Sequence, residues 1–143
     1  MKNKLQIWTI GHSNRSIDAF LELLGEHEIE VLVDARSFPT SKIEHFKREE
    51  MEKWLPEHGI EYVWLGKELG GYCRGGYKRH MRTKLFREGI KKLLEIAKTG
   101  RTCITCMEVN PKYCHRRFIS AHLERKSVKV MHIIGKGQTS LLA

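Results

Sequence analysis

The chain has 143 residues, 41% of them hydrophobic and 30% charged. That balance excludes a disordered polyelectrolyte and gives one domain enough apolar surface for a core of its own. Lys and Arg number 26 against 17 Asp and Glu, a formal net charge of +9, which favours anionic partners, although a solvated, Lys-rich surface gives the same number.

No apolar run nears the roughly 18 residues of a membrane span, and the first ten residues lack the apolar stretch of a signal peptide. The expectation is a cytoplasmic protein, with reduced thiols at Cys73, Cys103, Cys106 and Cys114.

Residues 5–10 (LQIWTI) read as a strand ended by Gly11-His12-Ser13. Ser16 caps a helix with apolar positions Ile17, Phe20, Leu21 and Leu24, and Gly25 serves as its stop. Residues 29–35 form a second strand whose continuous run Val31-Leu32-Val33 suits burial on both faces. After a loop at Phe38-Pro39, residues 48–55 are helical until Pro56 ends or bends them, and 60–65 form a third strand. Residues 66–83 read as a Gly-rich basic loop. Phe86, Ile90, Leu93, Leu94 and Ala97 then mark a helix closed by Gly100.

Residues 102–107 form a fourth strand. Asn110 caps and Pro111 opens a helix running to about residue 125. Residues 128–134 form a fifth strand, and 135–143 read as a loose tail. The alternation predicts a single α/β domain over residues 1–143, with a mostly parallel central sheet of about five strands and helices on both faces.

In such sheets ligands bind beyond the carboxyl ends of strands, and polar residues gather there: His12 and Ser13 after strand one, Asp34, Arg36 and Ser37 after strand two, Gly70-Gly71 after strand three, and Glu108 and Asn110 after strand four. Arg36, two residues from Asp34, either grips an anion beside a catalytic carboxylate or ties down a loop. Glu108 suits a general acid or base if partly buried, and otherwise a cap for the next loop.

Cys114-His115-Arg116 lies in the first turns of the predicted helix, where amides and dipole favour anions and a thiolate. Cys114 reads as a nucleophile or as small packing. A helical wheel sets His115 on the sheet-facing side with Phe118, Ile119 and His122, and turns Arg116 and Arg117 away. Ser120 stands where a phosphatase-type Cys-x5-Arg loop needs its arginine.

Cys103 and Cys106 spell C-x2-C, and Cys114 with His115 could complete a zinc set, but on a strand the first two face opposite sides, so no metal site is expected. Residues 70–84 carry no acidic residue and interleave glycine, tyrosine and base; Arg74 and its neighbours suit phosphates and the tyrosines suit bases, and a mobile solvated loop has the same composition. His132 and the three tryptophans read as core residues.

The ordered set Thr9-Ile10-Gly11-His12-Ser13, Asp34-Ala35-Arg36-Ser37-Phe38-Pro39, Leu69-Gly70-Gly71, Cys106-Met107-Glu108, Cys114-His115-Arg116 and His132-Ile133 resembles the bacterial and archaeal family known as domain of unknown function 488. The resemblance spans nearly the whole chain. It implies a small cytosolic α/β domain whose strand-end motifs form one site, and it brings no catalytic residue and no cofactor with it. The basic 70–83 stretch departs from the family pattern.

These readings converge on an enzyme, a hydrolase or group transferase, acting on a phosphate-bearing substrate such as a nucleotide or nucleic acid. Gly11, Ser13, Arg36, Ser37, Arg74, Cys114 and Arg116 would bind it. Asp34 and Glu108 would act as acid or base, with His12 or His115 carrying the proton. The alternative is a non-catalytic nucleic-acid-binding module.

Overall fold

A computed structural model describes residues 5–73 and 75–141. In chain order it has β1 (Gln6–Gly11), α1 (Ile17–Glu26), β2 (Val31–Asp34), α2 (Arg48–Glu57) and β3 (Glu61–Trp64). Two four-residue helices follow, α3 (Gly66–Leu69) and α4 (Tyr77–His80), then α5 (Lys84–Thr99), β4 (Thr102–Cys106), α6 (Arg116–Arg125), β5 (Lys129–Gly135) and β6 (Gln138–Ser140). The sheet order is β3-β2-β4-β1-β5-β6. Every pairing is parallel except β5 with β6. The fold is α/β, with the sheet covered on both faces.

Strand alternation sends Ile7, Val31, Val33 and Ile104 into one core with Leu93 of α5 and Ile119 and Leu123 of α6. Trp8, Ile10, Leu32 and Cys103 face the other way, onto Phe20 and Leu24 of α1 and Leu55 of α2. Each fully buried aliphatic or aromatic side chain contributes roughly 1.5–3 kcal/mol before entropy is counted. Ser16 accepts from the Ala19 amide and Thr83 from the Phe86 amide, so both α1 and α5 begin on side-chain caps. Among the described residues no helix is long and apolar enough to cross a membrane.

Four local expectations change. Gly25 lies inside α1; the chain turns after it, with Glu28 at φ 53° closing the turn. The 66–83 stretch is not one loop, because Tyr77 and His80 are buried on α4 and bond to the carbonyls of Leu69 and Glu68. The helix expected from Asn110 is split. Asn110 caps only a 3-10 turn at Pro111–Tyr113, Cys114 is extended (φ −135°, ψ 152°), and α6 starts at Arg116. The predicted tail holds β6, which pairs back on β5 through a two-residue turn with Gly137 at φ 65°.

Candidate functional site

Inserting β4 between β1 and β2 brings three strand ends together, and a cavity of about 380 Å³ opens above them. His12, Arg36, Ser37, Glu108, Cys114 and His115 line it, so six of the predicted site residues meet in one cleft. Asp34, Gly11, Ser13 and Arg116 do not line it, and Arg74 lies outside the described residues.

Asp34 is fully buried, and its carboxylate accepts from the Arg36 backbone amide (3.1 Å), Arg36 Nε (2.9 Å), Arg36 Nη2 (2.7 Å) and the Tyr62 hydroxyl. Nη1 of Arg36 donates to the carbonyls of Phe46 (2.8 Å) and Thr40 (3.3 Å) and lies 3.3 Å from His12 Nε2. Burial works against the Arg36 cation, but the hydrogen bonds and charge of Asp34 outweigh it and raise its pKa. The guanidinium fork is thus fully occupied, and the pair fixes the loop after β2 to the sheet.

His12 Nδ1 donates to the Ser13 carbonyl (2.9 Å), which leaves Nε2 as an acceptor facing Arg36. Burial, with the Arg36 charge, holds its pKa down at about 4, so the ring is neutral at physiological pH. Gly11 makes room: a Cβ there would lie 1.8 Å from the Glu108 carbonyl oxygen. Ser13 donates its amide to the Met107 carbonyl (2.9 Å), and Ser37 Oγ accepts from the Tyr72 amide (2.9 Å). The Glu108 side chain is exposed at the cleft, without the partial burial that its acid–base role required.

The wheel placement of Arg116 is overturned. The helix starts at Arg116 itself, and that side chain turns inward, 1% exposed. It donates to Thr9 Oγ1 (2.9 Å) and to the carbonyls of Glu108 and Val109. Burial lowers its pKa to about 10, which leaves a cation at neutral pH. It therefore clamps the β4–α6 loop from beneath.

Cys114 and His115 form the most reactive-looking geometry. His115 Nε2 lies 2.9 Å from the Ala35 carbonyl, which can only accept, so Nε2 carries the proton and Nδ1 is the free acceptor. Nδ1 lies 3.6 Å from Cys114 Sγ. Burial lowers the His115 pKa, so the base is unprotonated at neutral pH. The Arg116 amide points at the same sulfur (3.5 Å). Gly71 is required beside this pair, since a Cβ there would come within 2.7 Å of His115 Nδ1. The sulfur of Cys106, at the end of β4, meets that of Cys114 at the cleft wall.

The model of the family described as Domain of unknown function DUF488 matches residues 16–123. The chain belongs to this family. No curated protein and no solved structure matches it. The DUF488 match takes in Asp34, Arg36, Cys106, Glu108, Cys114 and His115, while β1 with Gly11, His12 and Ser13 precedes it.

In this DUF488 chain the cleft has a rim that sequence reasoning did not assemble. Phe38, Tyr72, Met107 and Tyr113 are 64%, 80%, 57% and 73% exposed, and all four line the cavity. The Phe38 and Tyr72 rings meet edge to face at 5.1 Å. An apolar ring around a polar floor is a lining of the kind that ligand clefts carry. A second cavity of about 540 Å³ lies on the other side of Cys114 and His115, with Lys112 and Arg117 in its wall.

Proposed function

We propose that the cleft is the active site of a hydrolase or group transferase acting on a phosphate-bearing substrate, such as a nucleotide or nucleic acid. The observation that carries this reading is the Cys114–His115 pair, whose base is locked in the accepting tautomer by the Ala35 carbonyl. In the dithiol form, His115 Nδ1 takes the Cys114 proton. The thiolate then bonds to the substrate's electrophilic centre, and the leaving group departs with that proton. Water, for a hydrolase, or an acceptor group, for a transferase, displaces the sulfur and returns a proton through His115. Phe38, Tyr72 and Tyr113 would stack a planar moiety, and Lys112 and Arg117 would neutralise phosphate.

The test is a screen of nucleoside phosphates and of single- and double-stranded oligonucleotides under reducing conditions. Wild type is compared with Cys114→Ala and His115→Gln, each with its melting temperature recorded. Turnover should vanish in the first and fall at least a hundredfold in the second, the low end of what a positioned base supplies. Wild-type turnover in a folded Cys114→Ala variant would refute the reading.

The non-catalytic nucleic-acid module has its own support in a groove of about 370 Å³ between α4 and α6, whose wall carries Lys78, Arg82 and Arg125. Binding there would weaken steeply with salt and survive Cys114→Ala unchanged.

A further inference from the structure

We propose that Cys106 and Cys114 are a reversible redox pair built into the cleft, in which Cys114 takes up the oxidant and Cys106 resolves it. The four cysteines fall into distinct environments. Cys103 is fully enclosed in the α1–α2 core, where burial pushes its thiol up, and Cys73 is also pushed up by desolvation. Cys106 and Cys114 instead bring their two sulfurs together at the cleft wall.

The two partners are unequal. Cys106 is 2% exposed on the last position of β4, and its carbonyl is fixed by the His12 amide at 2.8 Å. Cys114 is only half-buried, borders both cavities, and sits between the 3-10 turn and α6 with His115 Nδ1 and the Arg116 amide at its sulfur. An entering reagent therefore reaches Cys114, while Cys106 is shielded from it. Ionisation and access decide which thiol is oxidised.

The chemistry is a two-electron exchange with a hydroperoxide. The Cys114 thiolate attacks the distal peroxide oxygen, the O–O bond breaks, and the departing alkoxide or hydroxide takes a proton. Cys114 becomes a sulfenic acid and the peroxide becomes an alcohol or water. The Cys106 sulfur then bonds to the Cys114 sulfur, the S–OH bond breaks, and water leaves with the Cys106 proton. A dithiol reductant reopens the bridge at the accessible Cys114 sulfur, with Cys106 as leaving thiolate. The closed bridge removes the nucleophile proposed above, so oxidation would silence the site. The redox pair itself stands independently of any activity.

The full-length chain, reduced and freed of reductant, is treated with one equivalent of hydrogen peroxide and mapped by non-reducing peptide mass spectrometry. The expected product is a single cross-linked peptide pair, residues 106 and 114, two hydrogens lighter and restored by dithiothreitol. In Cys106→Ser, and in Cys106→Ala as a second choice if folding fails, Cys114 should instead be trapped as the dimedone adduct. Cys114→Ser should consume peroxide at least tenfold more slowly, and Cys103→Ser should match wild type. Oxidation confined to Cys73, or Cys114 found as a free thiol after peroxide, would overturn the proposal. If the substrate screen fails while the cross-link forms, only the hydrolase or transferase reading falls.

Discussion

Asp34→Asn separates the two roles open to this carboxylate. Asp34 is wholly buried and Arg36 is 6% exposed. The native carboxylate receives three N–H donors from Arg36 and one hydroxyl from Tyr62. In the variant the Asn oxygen still serves the Arg36 amide and Nε, but its NH2 group faces Arg36 Nη2, which can only donate, and the Tyr62 hydroxyl, which must turn to accept. The guanidinium is then a buried cation without its counter-charge, a loss of about 3–5 kcal/mol. At about 2–4 °C per kcal/mol for a domain near this size, the melting temperature should fall by roughly 6–20 °C. Thermal and urea melts of wild type, Asp34→Asn, Arg36→Met and the double variant read this directly. The double variant should be less destabilised than the sum of the singles by about 2 kcal/mol or more, because it removes the orphaned charge as well. An Asp34→Asn protein that melts within about 2 °C of wild type would refute the structural assignment, and lost turnover in that stable protein would return Asp34 to catalysis.

Two further outcomes follow from the same geometry. His12 and His132 are both held at about 4 by burial, against an ordinary 6.5, so between those values the unfolded chain binds protons that the folded chain does not. Their contribution is intact above pH 6.5 and is lost as pH falls towards 4, amounting to about 2 kcal/mol each between pH 7 and pH 5. Urea midpoints should drop over that interval, and His132→Gln should remove its share of the drop, about 2 kcal/mol, leaving that of the other buried histidines; a flat profile would contradict the burial. Gly71→Ala places a methyl group 2.7 Å from His115 Nδ1, so iodoacetamide should label Cys114 of the reduced variant several-fold more slowly than wild type, and an unchanged rate would show that His115 does not assist the sulfur.

The layered sheet was legible because its signals are local: Val31-Leu32-Val33 demanded cover on both faces, and Ser16 and the Phe86–Ala97 spacing marked helices that formed. The convergence of Arg36, Glu108 and His115 on one cleft was legible for the same reason, since strand ends in a parallel sheet share an edge. What failed depended on tertiary partners. Periodicity through residues 110–125 carried no sign that Cys114 would be extended, and the wheel drawn through it therefore pointed Arg116 outward. The β5–β6 hairpin did leave a signal, the Lys136-Gly137 turn before Gln138, but three residues are too few for alternation to show. Cys106 and Cys114 were weighed together only as members of a zinc set; their pairing became visible once the 3-10 turn folded Cys114 back onto the strand end.

Arg116 is the buried charge on which the proposed preference of this edge for anions rests. Its guanidinium is buried and still charged at neutral pH; its two terminal nitrogens donate to a hydroxyl and two carbonyls, its Nε has no hydrogen-bond partner, and no carboxylate is bonded to it among the described residues. The acceptors bonded to it are neutral and the nearby Glu108 carboxylate is exposed to solvent, so the buried monopole is expected to act on the cleft beside Cys114. Coulomb attraction over about 8 Å is worth roughly 0.5–2 kcal/mol between effective dielectrics of 80 and 20, about 2- to 30-fold in rate or affinity. Iodoacetate and iodoacetamide differ mainly in that one charge. The ratio of their rates at Cys114, normalised to the ratio at glutathione, should exceed one in the wild type and decline with added salt. Arg116→Met should bring the ratio towards one even where the folded fraction is unchanged, and Lys112→Ala should lower it by a smaller factor, since that residue is exposed at the far cavity. A normalised ratio at or below one in the wild type would mean that the buried cation is cancelled by its own surroundings, and the case for a phosphate-bearing substrate would lose its electrostatic basis.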